Sequence, residues 1–105
     1  MSIRLIAFRV VDACGVKHHV EGFPLLVRAI ELVYSKRDYL HAITKELYPK
    51  LAREFNTTAA CVERNMRGAI KGAKISKTNS EFIAVAVDFI DYVLLSEKEG
   101  ATLSV

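Results

Sequence analysis

The chain contains 105 residues, of which 51% are hydrophobic and 26% are charged. This length and composition predict one domain, residues 1–105, with a packed core, and they exclude collagen-like, low-complexity and disordered proteins. No apolar run approaches the roughly 20 residues of a membrane span, and no secretory signal is visible. The two cysteines, Cys14 and Cys61, are therefore expected to be reduced thiols in a cytoplasmic protein.

The net charge of +3 is distributed unevenly along the chain. Residues 45–77 carry a net charge of +5, whereas residues 78–105 carry a net charge of −4. A basic middle and an acidic end are typical of a protein that turns one surface toward nucleic acid and another away from it. Solvated helix faces would produce the same distribution, so charge alone does not decide between the two interpretations.

Apolar residues recur at helical spacing throughout, and this pattern predicts an all-α five-helix bundle. The first helix is expected from Ser2, which can cap it, to Ala13, with Gly15 placed to end it. After a short linker, the second helix is expected to begin near Pro24 and to end near Lys36.

A third helical region is predicted between Tyr39 and Phe55, with a kink or a restart at Pro49. Asn56 tolerates the left-handed backbone of a tight turn, and a threonine after it can cap the next helix. The apolar line of this region consists of Leu40, Ile43, Leu47, Leu51 and Phe55.

The fourth predicted helix, Ala59 to Ala73, has two faces of different chemistry. One face is apolar and would pack on the protein; it contains Val62, Met66, Ala69, Ile70 and Ala73. The opposite face is cationic; it contains Arg64, Arg67, Lys71 and Lys74, with Ala60 beside them and Glu63 at the edge.

Residues 45–74 therefore have the order of a helix-turn-helix, in which two helices meet across a tight turn at Asn56. The contacts between the two helices would come from Leu51, Ala52, Phe55 and Val62. The cationic face of the second helix can then enter the major groove of double-stranded DNA, which is wide enough for one helix.

On this interpretation Arg64 and Glu63 would read bases, and Arg67 would contact a base or a phosphate. Phosphate contacts contribute affinity without sequence information. They are expected from Lys71, Lys74 and Lys77, while Thr57 or Thr58 would fix the entry of the helix and could also contact a phosphate.

The last helix is predicted at about 79–96, after the capping-box pair Thr78 and Glu81, and residues 97–105 are expected to fray. Two interpretations of this helix remain open: it is buried on two sides of the bundle, or it forms the seam of a homodimer. Its apolar residues cover more than half of its circumference: Phe82, Ile83, Ala86, Val87, Phe89, Ile90, Val93 and Leu94.

No metal, cofactor or catalytic site is predicted. The spacing of the cysteines and histidines fits no structural zinc set, and no nucleophile, base and orienting group can be assembled from the sequence. Cys61 falls in the first turn of the fourth helix, where the helix dipole lowers a thiol pKa. A redox switch on DNA binding is therefore an alternative to an ordinary half-buried side chain.

Two segments give the chain a family resemblance: AITKELYPKLAREFNTTAACVERNMRGAIKGA at 42–73 and KTNSEFIAVAVD at 77–88. Roughly residues 5–90 resemble the C-terminal DNA-binding effector domain of the sporulation initiation response regulators. The resemblance implies a winged-helix-like effector fold without a wing and a sequence-specific regulator of transcription. It also implies that the fourth helix is the recognition helix, with operator contacts from Glu63, Arg64 and Arg67.

The chain departs from the family pattern near this helix. By position in the family, Ala60, Cys61 and Gly68 are also expected to lie against the DNA. Ala60 and Cys61 stand where the family usually has a serine and an arginine, and Gly68 stands where it usually has a histidine. Residues 74–77 replace a longer family segment that is implied to contact the polymerase sigma subunit, so that contact is doubtful here.

The family effector usually follows a phosphorylatable receiver domain, for which this chain has no room after Met1; if Met1 is the natural start, phosphorylation is not expected to gate it in the usual way. These departures predict a repressor or modulator that binds double-stranded DNA. The alternative is a protein–protein interaction module that dimerises with a related regulator and has lost most of its DNA affinity.

Overall fold

The computed structural model describes residues 2–98, and every regular element in that range is a helix, with no strand and therefore no wing. Its α-helices are α1 (Ile3–Ala13), α2 (Gly22–Ser35), α3 (Tyr48–Glu54), α4 (Ala59–Gly72) and α5 (Asn79–Lys98). A 3₁₀ segment (Arg37–His41) and a π-helical turn (Ile43–Leu47) connect α2 to α3. The predicted all-α bundle is confirmed, and none of these helices combines the length and apolarity that crossing a bilayer requires.

Several helix ends follow from the side chains that the sequence places there. The Ser2 hydroxyl accepts a hydrogen bond from the Leu5 amide at 3.1 Å and caps α1, while Gly15, at a φ of +86°, turns the chain after it. At the start of α5, the Thr78 amide donates to the Glu81 carboxylate at 2.9 Å, and the Glu81 amide donates to the Thr78 hydroxyl at 3.2 Å. Both expected caps are confirmed.

The segment between α2 and α4 is divided more finely than the sequence predicts. A further break lies at Ala42, where φ and ψ are −142° and 44°. Pro49 sits in the first turn of α3, where a residue without an amide hydrogen removes no intrahelical hydrogen bond. Of the two alternatives expected at Pro49, a kink or a restart, the restart is confirmed: α3 begins at Tyr48, so proline lies where a helix tolerates it.

The apolar line predicted for this segment is only partly buried. Leu47 and Leu51 are fully buried, but Leu40 and Ile43 are half-buried, and Phe55 is 38% exposed. The inward position expected of Phe55 is wrong because α3 ends at Glu54, so that the helical spacing no longer applies to the next residue. α2 likewise begins at Gly22, two residues before the expected Pro24.

α5 is longer than predicted and buries one face. Glu97 and Lys98 belong to the helix, so the expected fraying is wrong for these two residues; residues 99–105 lie outside the described range. The buried face consists of Phe82, Ile83, Ala86, Val87 and Ile90. A second apolar stripe is about half exposed and consists of Val85, Phe89, Tyr92 and Leu95.

The core forms around α2, which packs against α1, α4 and α5. Leu26 and Ile30 of α2 are fully buried, and each such side chain contributes about 1.5–3 kcal/mol through removal from water. Where α2 begins, a Cβ atom on Gly22 would lie 2.6 Å from the Ala69 Cβ and would overlap the Asn65 carbonyl oxygen of α4. The absence of a side chain at Gly22 is what lets α4 lie this close to α2.

Replacing Gly22 with alanine is therefore expected to lower the free energy of unfolding by about 1–3 kcal/mol, because two backbones would have to separate. Urea unfolding followed by circular dichroism measures the change. Gly68→Ala is the matched control: its Cβ would meet no atom within 4 Å, so it should raise the free energy of unfolding by roughly 0.5–1 kcal/mol. Equal effects of the two substitutions would contradict the close packing.

Candidate nucleic-acid interface

The turn between α3 and α4 is closed by hydrogen bonds that the local sequence provides. Asn56 has a φ of +54°, and the Thr57 amide donates to the Ala52 carbonyl at 2.9 Å. The Thr58 hydroxyl then accepts from the Cys61 amide at 3.1 Å and caps α4. The left-handed residue and the threonine cap expected from the sequence are both confirmed, and together they set the angle at which α4 leaves the turn.

α4 has the two faces that the helical wheel predicts. Its inner face packs against α2 and α3. The residues on this face are buried, Ala73 only partly: Val62, Met66, Ala69, Ile70 and Ala73. Because the apolar face is docked along its whole length, the opposite face is left toward solvent.

The structure leaves most of the predicted contact residues exposed. On α4 these are Ala60, Arg64, Arg67, Gly68 and Lys71; before it lie Thr57 and Thr58, and after it Lys74 and Lys77. Cys61 and Glu63 are half-buried at the edges of this face. Small and cationic side chains of one helix are thus presented to solvent without a covering segment from residues 2–98.

Two residues predicted to contact DNA separately are bonded to each other. Arg67 donates from Nε to Glu63 Oε2 at 2.9 Å and from Nη2 to Glu63 Oε1 at 3.3 Å. The carboxylate beside it raises the pKa of Arg67 above its ordinary value. The signal in the sequence is the spacing of four residues on one helix, which brings opposite charges together.

Cys61 lies in the same group of side chains. Its Sγ accepts a hydrogen bond from Arg64 Nη2 at 3.3 Å. Hydrogen bonds from the hydroxyls of Thr58 and Thr57 lower the pKa of the Cys61 thiol, and the charge of Arg64 acts in the same direction. Burial instead raises the pKa of the Cys14 thiol, although Cys14 is the more exposed residue.

At a pH of about 7.5, roughly a unit below an ordinary thiol pKa, iodoacetamide should modify Cys61 faster than Cys14, since the thiolate is the reacting form. Peptide mass spectrometry over a time course measures both rates in one sample. Thr57→Val should slow the reaction of Cys61 while leaving the Thr58 cap intact. Faster modification of Cys14 would mean that exposure, and not the pKa, controls reactivity.

α4 ends at Gly72, one residue before the predicted end at Ala73. Lys74, expected on its cationic face, lies beyond the helix and has a φ of +61°. Around it, the Ile75 amide donates to the Ile70 carbonyl at 3.1 Å, and the Lys74 amide donates to the Lys71 carbonyl at 2.9 Å. This is a Schellman ending in which lysine takes the position that glycine usually takes.

Lys74→Gly is expected to raise the free energy of unfolding by about 1 kcal/mol, because glycine adopts the left-handed backbone without the steric cost of a Cβ. Lys74→Ala is the matched control, since it removes the charge but keeps the cost. Thermal unfolding compares the three proteins. A Lys74→Gly protein no more stable than the Lys74→Ala protein would contradict this account of the helix end.

A buried contact that the sequence did not predict holds the middle of α4. Asn79, only 7% exposed at the start of α5, donates from Nδ2 to the Tyr48 hydroxyl at 3.0 Å and to the Glu63 carbonyl at 3.2 Å. One amide thus joins α3, α4 and α5, and its Oδ1 has no partner within residues 2–98. In the sequence, Asn79 follows the capping residue Thr78 and is interpreted as part of the cap. Nothing in the local sequence therefore indicates that its side chain is buried.

Comparison with known protein families adds one finding. The family model described as "Sporulation initiation factor Spo0A C terminal" matches residues 7–76. The match covers about two thirds of the chain and extends from α1 past the end of α4, so it includes the turn, the cap and both faces of the helix described above. This family consists of helical DNA-binding domains and not of enzymes.

Proposed function

The chain belongs to the Spo0A C-terminal family of DNA-binding sporulation regulators, and on that basis we propose that it binds double-stranded DNA sequence-specifically through α4. The observation that carries the proposal is the division of α4 into a docked apolar face and an exposed cationic face. A helix held in this way can enter a major groove about 12 Å wide while it stays packed on the protein. It would act on DNA in the cytoplasm.

The side chains on the exposed face would make two kinds of contact, some to the edges of bases and others to phosphates. Arg64 has a planar guanidinium that suits the O6 and N7 acceptors of guanine. Arg67 uses Nε and Nη2 on Glu63, which leaves other donors free for a base or a phosphate and limits the motion of the side chain. Lys71, Lys74 and Lys77 would contact phosphates as point charges, with Thr57 or Thr58 near the helix entry.

Three small residues limit which bases this face can discriminate. Ala60, Cys61 and Gly68 add no long polar side chain to the front of α4, so base discrimination would depend chiefly on Arg64 and the Glu63–Arg67 pair. Removal of the Arg64 side chain should accordingly cause a large loss of discrimination between DNA sequences, because no neighbouring side chain can replace its paired donors.

Arg64→Ala and Lys71→Ala are expected to affect binding in different ways. Arg64→Ala should reduce discrimination between a selected duplex and a random duplex by about 1–3 kcal/mol. Lys71→Ala should leave discrimination unchanged but make the plot of log affinity against log salt shallower by about 0.9 for each phosphate that is no longer neutralised. Fluorescence anisotropy over a salt series measures both quantities after selection of a site from a random pool.

Two results would count against sequence-specific binding by α4. One is equal affinity of the unmodified protein for the selected and the random duplex. The other is a drop in discrimination in Lys71→Ala as large as that in Arg64→Ala, because phosphate contacts carry no sequence information.

The proposed regulatory effect is repression or modulation. Only residues 73–78 separate α4 from α5, so little chain is available there to contact a polymerase subunit. In a purified transcription reaction, addition of the protein to a template that carries the selected site should lower the yield of transcript or leave it unchanged. An increase in transcript would contradict this part of the proposal.

The exposed stripe on α5 favours a second candidate function, an interaction module that pairs with a second copy or a related regulator. Val85, Phe89, Tyr92 and Leu95 are each at least half exposed, and they follow one another at helical spacing. If association replaces DNA binding, Phe89→Glu should abolish a complex seen by analytical ultracentrifugation, and the unmodified protein should shift no duplex at low salt. Duplex binding by a monomer would reject this candidate.

A further inference from the structure

A cleft of about 750 Å³ runs beside α4, on the side where Glu63 and Arg67 lie. One wall is formed by the chain from the end of the 3₁₀ segment into the π-helical turn, including His41, Thr44 and Lys45. The other wall is formed by the residues that enter α5, Lys77 to Ser80. Of the residues that line the cleft, the sequence pattern indicates only Glu63, Arg67 and Lys77 as contacts to DNA.

The chemistry of the cleft suits an anion with several oxygen atoms. Lys45, Arg67 and Lys77 line it with positive charge, and its one lining carboxylate, Glu63, is already bonded to Arg67 at 2.9 Å. Four hydroxyl groups also line the cleft; they belong to Thr44, Tyr48, Thr78 and Ser80. One of the last two is already used in the 3.3 Å bond between them. Lysine, arginine and hydroxyl side chains are the groups that contact DNA phosphates most often.

Two other carboxylates next to this part of the chain act on other groups, and Glu81 also attracts Lys77, so Lys45 is the least compensated cation of the cleft. Glu81 accepts a hydrogen bond from the Thr78 amide at 2.9 Å, and Glu46 lies 3.9 Å from the ammonium of Lys36. Lys45 makes no ion pair within residues 2–98. Its ammonium is therefore available to a ligand that enters the cleft.

The position of the cleft indicates which anion it meets. Arg67 belongs both to the cleft and to the exposed face of α4. An α-helix with its side chains is about 10–12 Å across and fills a major groove of about 12 Å, so the two sugar-phosphate backbones must run along its two flanks. A cleft on one flank then faces one of those backbones.

We propose that this cleft binds consecutive phosphodiester groups of one strand of the duplex whose bases α4 reads, with Lys45 as its principal new contact. The inference rests on the proposed function and extends the interface from one helix to the two segments on its flank. Phosphates held there would fix how far α4 can slide along the groove, which sets the register in which Arg64 meets the bases.

The test is the salt dependence of duplex binding by Lys45→Ala in the full chain. Its log–log slope should become shallower by about 0.9 for each phosphate released from the cleft, and Lys45→Arg should restore the slope. Lys98→Ala is the matched control, because this residue lies at the far end of the 20-residue α5, about 28 Å along the axis from Asn79. Lys45 is exposed, so melting curves of the variants should coincide.

Ethylation interference supplies a second readout. Ethyl groups on phosphates along one flank of the site should block the unmodified protein but have less effect on Lys45→Ala, since that contact is already absent. If Lys45→Ala keeps the original slope and interference pattern while Lys71→Ala lowers the slope, the cleft proposal is overturned and DNA binding by α4 stands. If Lys98→Ala lowers the slope as much as Lys45→Ala, general charge explains the effect and the cleft proposal also fails.

A third outcome concerns the proposed function itself. If the affinity of the unmodified protein for duplex is independent of salt, no phosphate contact exists anywhere on the molecule, and α4 is not a DNA-binding helix.

Discussion

The close contact between α2 and α4 is the constraint on which the position of the cationic helix depends. Gly22 has no side chain at the point where the Asn65 carbonyl approaches, and Ala69 packs beside it with another small side chain. Behind this contact, Val62, Met66 and Ile70 are buried to 2% exposure or less. Burial of this apolar face therefore holds α4 against the core. The absence of a side chain at Gly22 sets how closely α4 approaches α2.

Three different kinds of polar contact then fix α4 along its length. The Thr58 hydroxyl holds its first turn, the Asn79 amide holds the Glu63 carbonyl in its second turn, and the Schellman bonds close its end. The Thr58 and Schellman bonds satisfy backbone groups that helix ends leave unpaired, and the Asn79 bond satisfies the donor of a buried side chain. A helix supported in this way keeps its exposed side chains in register, which is what recognition of a rigid duplex requires.

Local signals in the sequence predicted the parts of the fold that depend on neighbouring residues. The caps at Ser2 and Thr58, the left-handed Asn56 and the amphipathic α4 all arise within a few residues of chain, where composition decides structure. The features that sequence reasoning missed depend on residues far apart in the chain, or on a helix ending where its pattern continued. Phe55 falls outside the helix by one residue, and Asn79 is buried only because α3 and α4 converge on it. The flanking cleft likewise required coordinates, whereas the bond between Glu63 and Arg67 has a local signal in the spacing of four residues on one helix.

The π-helical turn at Ile43–Leu47 makes the cleft depend on the number of residues in the chain. A π turn is an α-helical turn that holds one surplus residue. Deletion of a single residue after Lys45 would return the segment to regular helix and rotate Thr44 and Lys45 by about 100° around the axis, while Leu51 and the rest of α3 stayed in place. A relative with one residue fewer here would carry the residues equivalent to Thr44 and Lys45 on a different side of the helix. An alignment that ignores the gap would then place these residues next to the wrong neighbours.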